Sequence, residues 1–391
     1  MRPVCESELA EAIASARSGI RIRGGGTRQG LGNPVEAESC LDTTGLSGIR
    51  LYEPGALTLI AGAGTPLDEV ESALAAHGQQ LPFEPIDHRG LLGSAGEPTV
   101  GAAAACNLSG PRRIQAGACR DSLIGVRFID GTGTVTKSGG RVMKNVTGYD
   151  LVKLLAGSFG TLGVVSEVTF RVLPAPETRA VLLIDGLSLE MAVAPLSSAL
   201  GSPWGVSGAA HTPSGLDGHP VTMIRVEGSA DSVAYRSERL RDHLAEFGDV
   251  RVETDPLATA AGWRWVRDAE SFHGRPGDVW KVSVRPTDGP RVVRSVRLSL
   301  ADVAEPSVLL DWGGGLVWLC VPEDHDIRPS LRGISGHATL VRAAPATRRK
   351  IGAFHPEPEP LVRMARSLRA RFDPRNILNP GIMAGPRPEN G

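Results

Sequence analysis

Apolar residues recur along the chain with two periods, and the switches between them mark out the elements. Residues 6–17 read as a short helix, and the run "IRIRG" behind them as a strand. "ALTLIAGAG" (56–64) alternates and ends in glycines, as a strand does before a turn. In "TPLDEVESALAAHG", Leu67, Val70 and Leu74 share one face of a predicted helix. Thr65 is its expected N-cap, Pro66 suits the first turn, Asp68 completes a capping-box-like spacing, and Gly78 ends it. "LIGVRFIDGTGTVT" (123–136) predicts a hairpin through Asp130-Gly131. "VTGYDLVKLLAG" (146–157) repeats the capped-helix grammar, with Thr147 and Asp150 at capping-box spacing and Leu151, Leu154 and Leu155 on one face. "VVSEVTFRVLP" (164–174) alternates Val168, Phe170 and Val172 with Glu167, Thr169 and Arg171, the pattern of a half-buried strand. "PAPE" (174–177) reads as a linker. From 180 to about 345, strand and helix patterns alternate, which predicts an antiparallel sheet with helices on one face. A last helix over 359–371 is expected to bury Leu361, Met364, Ala365 and Leu368 before the terminal "RFDPRNILNPG".

Composition narrows the class. A chain of 391 residues suggests two domains, and 48 glycines with 29 prolines demand many turns and close backbone contacts. The formal net charge of −1, without a basic tail, argues against nucleic acid as a partner, because phosphate binding needs a positive field. The cysteines at 5, 40, 106, 119 and 320 are scattered and contain no CxxC pair, which suits reduced thiols and argues against zinc or an iron–sulfur cluster in this chain. His211, His219, His325, His337 and His355 share no ligand spacing, so no metal site is predicted. No general base stands out, and catalytic residues are left unassigned. His88 and His337 read as polar surface or satisfied core, Trp312 and Trp318 as core of the second domain. The N-terminus carries acids where a signal peptide has an apolar core, and no stretch reaches membrane-spanning length, so a cytoplasmic protein without direct membrane insertion is expected.

The glycine loops hold the candidate chemistry. "RIRGGGTRQG" (21–30) fails GxGxxG at Gln29, "GAGTPL" fails it at Leu67, and no P-loop motif exists. Consecutive bare amides can still form a nest for oxygen anions, with a hydroxyl from Thr27 and a charge from Arg28; the other reading is a plain tight turn. In "EPTVGAAAACNLSGPRRIQAGACRD" (97–121), bulk is absent from Val100 to Ala105, so a large flat ligand can lie against the main chain. Thr99, Gly101, Asn107, Ser109 and Gly110 are its candidate contacts, although Asn107 and Ser109 suit a turn equally. Arg120 and Asp121 read as an ion pair, and Asp150 as part of a helix cap. "GSFGTLGVVSEV" (157–168) is a third glycine loop that can present amides to a ring edge.

Together "RGGGT", "TVGAAAACNLSG", "RD…GVRFIDGTG", "TGYDLVKLLAGSFGTLGVVSEV" and "FDPRNILNPG" resemble the FAD-binding fold of the vanillyl-alcohol oxidase family, over 1–176 and the terminal tail. "GGRVMKNVTGYDLVKLLAGSFGTLGV" (139–164), "VWKVSV", "DWGGGLVWL" and "GHATLVR" are similar to the FAD-binding E-subunit family of bacterial glycolate oxidases. The resemblance implies an α+β architecture: a PCMH-type two-subdomain FAD-binding domain over 1–176, an α+β cap domain of antiparallel sheet plus helices over 177–345, and a C-terminal helix and tail, 346–391, returning to the FAD domain. It implies FAD with its pyrophosphate on the glycine loops, held through Arg23, Gly24, Gly25, Gly26, Thr27, Arg28, Thr99, Gly101, Asn107, Ser109 and Gly110. Lys144 is placed near the N1–C2 edge of the flavin, and Gly160, Leu162, Gly163 and Val164 along the isoalloxazine edge. No His or Cys lies between 21 and 32, so non-covalent FAD is expected. The implied partners are a related flavin subunit and an iron–sulfur subunit, which together oxidise glycolate, a small 2-hydroxy acid, to glyoxylate at the inner face of the membrane. Phe159 stands where many substrate-oxidising relatives carry Glu, which speaks against independent catalysis, and with no general base in view the substrate chemistry is expected of the partner flavoprotein. Two other readings stay open: a stand-alone FAD dehydrogenase of another hydroxy acid or alcohol, and a non-catalytic assembly subunit.

Overall fold

The computed structural model describes residues 1–140, 149–215, 217–301 and 303–385. The chain divides into two compact units, Met1–Ser109 with Gly117–Ala175 and Pro356–Gly391, and Gly110–Ala116 with Pro176–His355.

In the first unit, β1 (Ile20–Arg23) and β2 (Ser39–Asp42) pair in parallel, with Ile20 opposite Ser39. Helix α1 (Glu6–Ala14) packs Leu9 and Ile13 into one cluster with Ile20, Leu41, Ile377 and Leu378. A five-stranded antiparallel sheet runs β3 (Ile49–Glu53), β4 (Thr58–Gly62), β8 (Val164–Arg171), β6 (Leu123–Ile129), β7 (Val135–Gly139). A short pair, β5 (Gln79–Gln80) and β9 (Leu173–Pro174), stands apart. The predicted hairpin forms, and the Asp130 carboxylate accepts from the amides of Thr132 and Thr134 to close its loop. Strand β8 is more buried than its alternation predicts, because it is the middle of five strands. Even Ser166 and Thr169 are buried, and Ser166 Oγ donates to Glu6 Oε1 of α1 at 2.6 Å.

Besides α1 and a helix near the C-terminus described below, this unit holds α2 (Leu67–Ala75), α3 (Arg89–Leu92), α4 (Val100–Ala105), α6 (Cys119–Ser122) and α7 (Leu151–Leu155), with α5 (Arg113–Ala116) belonging to the second unit. Leu67, Val70 and Leu74 are buried as predicted, but Thr65 does not cap α2. Its hydroxyl donates to the Gly62 carbonyl at 2.7 Å and accepts from the Gly48 amide at 2.9 Å, so it fastens the preceding turn instead. Asp150 is itself the N-cap of α7, accepting from the Lys153 amide at 3.1 Å, and the helix buries Val152 and Leu155 rather than Leu151 and Leu154. Thr147 lies outside the described residues.

The second unit is one eight-stranded antiparallel sheet. Its order is β13 (Val250–Glu253), β10 (Thr178–Asp185), β12 (Val221–Gly228), β11 (Val206–Thr212), β15 (Ser307–Asp311), β16 (Leu316–Val321), β14 (Asp278–Val284), β17 (Gly336–Arg342). Helices α8 (Leu189–Gly201), α9 (Ala230–Leu244) and α11 (Gly289–Ser299) pack on one face, through Leu182, Ala209, Ile224, Trp280 and Val282. Helices on one face only were expected, but α10 (Pro256–Arg267) lies on the other. Its Trp263 and Val266 pack on Val181, Ala210 and Met223, the residues that alternate with the first set.

After α12 (Pro345–Ile351), α13 (Glu359–Phe372) has the predicted apolar stripe, yet none of its residues is buried, and Leu361 and Met364 are 49% and 62% exposed. Burial in this region belongs to the tail behind the helix, where Ile377 and Leu378 enter the α1 cluster. Among the described residues no helix is long and apolar enough to cross a membrane.

Candidate functional site

The three glycine loops, far apart in sequence, meet in the first unit. The first, at the end of β1, packs backbone to backbone on the segment before α4. A Cβ on Gly24 would lie 2.5 Å from Thr99 Oγ1, and one on Gly25 only 1.7 Å from the Glu97 carbonyl oxygen. Ser94 Oγ donates to the Thr27 carbonyl at 2.8 Å. Two of the three glycines therefore serve the approach of one loop to the next. Gly26 differs: it takes a left-handed φ of +83°, and the nearest atom to a Cβ there would be the Gln29 side chain of the same loop, 3.5 Å away. Gly101 permits a further close crossing, since its Cβ would meet Ala63 at 2.6 Å.

The third loop joins the same place. The Phe159 amide donates to the Ala105 carbonyl at 2.9 Å and the Gly157 amide to that of Ala104 at 3.3 Å, at the end of α4. Phe159 and Gly160 both adopt left-handed backbone, φ +53° and +74°. A Cβ on Gly160 would lie 3.1 Å from Ile22 of β1 and from Asn379 of the tail.

Arg28 is the electrostatic anomaly of this region. Its Nη2 reaches the Ile86 carbonyl at 3.5 Å, while Nε and Nη1 are buried without a hydrogen-bond partner. Burial pushes its guanidinium below its usual range, against the pull of Cys106 and Asp87. Neither outweighs the cost of burial. Burial pushes the Cys106 thiol up to about 11, so it is neutral. Asp87 is held by Arg89 in a pair whose closest contact is 2.7 Å. A buried cation with free donors is costly unless an anion meets it. Thr99 Oγ1 and Ser158 Oγ are likewise buried without a partner. These unmet groups sit on the three loops, and a phosphate-rich cofactor such as FAD supplies what they lack, acceptor oxygens and negative charge.

The other candidates divide by how their side chains are used. Arg23 is paired with Asp42 at 2.6 Å, and Thr27 is buried. Asn107, at φ +49°, accepts from the Arg120 amide at 2.9 Å, and Ser109 Oγ accepts from the Cys119 amide at 3.1 Å, so both side chains brace the following turn. Asp121 accepts from the Ala118 amide at 2.8 Å, at the start of α6. Leu162 and Val164 are buried, and Gly163 lets the Phe128 ring approach, a Cβ there falling 2.5 Å from it. Gly110 falls in the second unit. Lys144 lies outside the described residues. Ser158, Ser94 and Asn379 were not singled out in the sequence; the signal was a small polar residue beside a glycine turn, and for Asn379 the terminal "NILNPG".

Comparison with known proteins identifies the family. A family model described as "FAD binding domain" matches residues 1–139. The chain is 35% identical to glycolate oxidase subunit GlcE of Escherichia coli (strain K12), over 96% of this chain and 95% of that one. It is 31% identical to a D-lactate dehydrogenase of Archaeoglobus fulgidus over 44% of this chain and 38% of that one. It is 40% identical to glycolate oxidase subunit GlcD of Bacillus subtilis over 22% of this chain and 18% of that one. Among solved structures, an alkyldihydroxyacetonephosphate synthase superposes with a TM-score of 0.69 at 16% identity, covering 97% of this chain and 76% of that one, a likeness of fold.

Proposed function

The chain belongs to the family of FAD-binding E subunits of glycolate oxidase, and from that premise we propose that it holds FAD on its three glycine loops and serves the oxidation of glycolate to glyoxylate in a multi-subunit complex. It is an FAD-binding oxidoreductase subunit. The proposed FAD domain is 1–176, the cap domain 177–345, and 346–391 the segment that returns to the FAD domain. The proposed partners are a related flavin subunit, a reading supported by the similarity to a GlcD chain, and an iron–sulfur subunit that receives the electrons. With partners of that kind the chain works at the inner face of the membrane without entering it.

The chemistry that bound FAD supplies is acceptance of a hydride from the α-carbon of a 2-hydroxy acid and passage of the electrons onward. The residues of this chain bind and orient. Arg28 neutralises diphosphate charge with its two unmet donors, and Thr99 and Ser158 donate hydroxyl hydrogen bonds. Gly26 leaves the main-chain amides bare, and Arg23, Gly24, Gly25, Thr27, Gly101, Asn107, Ser109 and Gly110 shape and brace the loops around them. Gly160, Leu162, Gly163 and Val164 border the ring edge, and Lys144 is the proposed cation at its N1–C2 side. The cofactor is held without a covalent bond. Phe159 offers no carboxylate to take a proton, so the base for the substrate hydroxyl is placed in the partner flavoprotein.

The observation that carries this reading is the pair of buried, unpartnered Arg28 nitrogens beside bare glycine amides. The test is the visible spectrum of the purified chain before and after anaerobic glycolate. A yellow protein whose flavin bleaches only once its partners are added is the expected result. Bleaching by glycolate alone moves the substrate chemistry into this chain, and a colourless chain that FAD does not reconstitute overturns the cofactor reading.

A further inference from the structure

Helix α10 carries a glycine that its own fold does not use. Gly262 sits inside Pro256–Arg267, where glycine costs helix stability against alanine. Other glycines of this unit admit a close neighbour: a Cβ on Gly208 would lie 2.7 Å from the Trp263 ring. A Cβ on Gly262 would meet nothing within 4 Å. The space it leaves open belongs to a cavity of about 280 Å³ between α10 and the sheet.

The register of the sheet builds the floor of this cavity. On the face that meets α10, Leu183 of β10 lies opposite Met223 of β12 and Arg251 of β13, and Asp185 lies opposite Val221. The centre of the floor is therefore apolar and its margin charged. Ala258, Gly262 and Trp265 follow one another at helical spacing and roof the cavity, beside the buried row Thr259, Trp263 and Val266. The two small residues leave room against Trp265, which is itself only half-buried.

The margin carries an excess of negative charge. Asp185, Asp217 and Glu253 line the cavity, and Arg251 is the cation among its lining residues. Arg251 is engaged by Asp185, to whose Oδ2 its Nε and Nη2 donate at 3.0 and 2.7 Å. Asp217 accepts from the His219 amide at 3.0 Å, and Glu253 from the Asp255 amide at 2.8 Å. Among the described residues neither of these two carboxylates forms an ion pair. Three carboxylates thus face one guanidinium around an apolar hollow with an indole in its roof.

We propose that the cavity between α10 and strands β10, β12 and β13 binds a small organic cation, its apolar body beside Trp265 in the space left by Gly262 and its ammonium head at the carboxylates of the margin. The volume lies just below the roughly 300–1,000 Å³ of pockets for drug-sized ligands, which suits one ring or a short chain. An indole wall with carboxylates beside it favours a cation over a neutral molecule of the same shape. A 2-hydroxy acid carries the opposite charge, so this ligand is not the substrate of the proposed reaction. The cavity lies wholly within the second unit, and the inference does not rest on the flavin reading.

The test is equilibrium binding of hexylammonium, 1-hexanol and hexanoate, one chain with three head charges, to the full-length chain at low ionic strength. Binding is followed by calorimetry and tryptophan fluorescence, and thermal unfolding is recorded on the same samples. The variants are Gly262→Ala, Gly262→Leu and the double variant Asp217→Asn with Glu253→Gln. Hexylammonium is expected to bind about three-fold tighter than hexanol and about ten-fold tighter than hexanoate, with the difference shrinking in high salt. The double variant is expected to bind hexylammonium no tighter than hexanol. Gly262→Leu fills the cavity from the helix and is expected to lose about ten-fold in affinity for hexylammonium. Gly262→Ala is expected to weaken binding while raising Tm by roughly 1–4 °C, because alanine is the better helix former. A Tm that rises as binding falls shows that the glycine serves a ligand. No binding of any of the three probes, hexanoate binding as tightly as hexylammonium, parental affinity in Gly262→Leu, or a lowered Tm in Gly262→Ala each overturns the site.

Discussion

The side chain of Asn379 bonds strand β1 and the third glycine loop at once. Its Oδ1 accepts from the Ile22 amide at 2.8 Å, across 357 positions of sequence, and its Nδ2 donates to the Phe159 carbonyl at 2.8 Å. Asn379 is 5% exposed and sits at φ +43°. Nearby, Arg375 donates to the carbonyls of Ile13, Ala14, Ala16 and Gly131. The tail is thus a structural part of the loops from which the site is built.

Asn379→Ala removes both bonds and leaves the Ile22 amide without this acceptor. Loss of buried hydrogen bonds of this kind costs about 2–4 kcal/mol in total. Urea unfolding of the variant shows a lower midpoint by that amount, and its FAD content falls after gel filtration. Parental stability together with full flavin retention contradicts the role given to the tail.

Arg28→Met separates ligand recognition from folding by the sign of its effect. An arginine whose unmet donors serve only a bound anion burdens the FAD-free chain. The variant without FAD is expected to be at least as stable as the parent in urea. Its FAD affinity drops about ten- to hundred-fold, the worth of ~1.5–3 kcal/mol for charge-assisted bonds. A destabilised variant that binds FAD normally assigns Arg28 to structure alone.

Glycines differ in how closely the rest of the chain approaches them, and substitution reads the difference between one in the first loop and one outside it. Gly25→Ala drives a methyl to 1.7 Å from the Glu97 carbonyl oxygen, which is backbone and cannot swing away. Overpacking of this severity costs about 1–3 kcal/mol or more. Gly55→Ala meets nothing within 4 Å and needs no left-handed backbone, so it is neutral or stabilising by about 0.4–1 kcal/mol. Thermal unfolding of the two variants side by side checks the contrast.

Much of the fold was legible because it is written in local spacing. The α1, α2 and β8 patterns, the Asp130-Gly131 hairpin and the alternating elements of the second unit need only neighbours in sequence to be read. What escaped depends on distant partners. Thr65 has the sequence of a cap, but Gly48 offers its hydroxyl a better use. The stripe on α13 shows that the helix is two-sided, not that anything covers it. Periodicity gives α10 an apolar face but does not say which side of the sheet it will meet. In the site, the glycine loops stood out in the sequence, whereas the burial of Arg28, which reads equally as a surface charge, did not. That Gly24 and Gly25 serve the contact with Thr99 and Glu97 emerges only once the loops are folded together.

Asp278 gives the stability of the chain a pH dependence of known sign. Its carboxyl is 1% exposed, and burial pushes it up to about 6, above the ordinary carboxylate range, with Asp324 and Glu323 adding to the rise. The Asp324 amide donates to it at 2.9 Å and Arg342 acts favourably on its charge, and both only partly offset that rise. Because the folded-state value is the higher one, the folded chain binds more protons than the unfolded chain between about pH 4 and 6. This group's contribution is therefore fully present below pH 4 and lost as pH rises through 6. Asp278→Asn keeps an oxygen for the Asp324 amide and removes the charge. The variant is expected to unfold with the parent at pH 4 and above it at pH 7.5, by ~1–2 kcal/mol or a few degrees in Tm. A variant that loses stability equally at both pH values shows instead that Asp278 is held as a carboxylate by its surroundings.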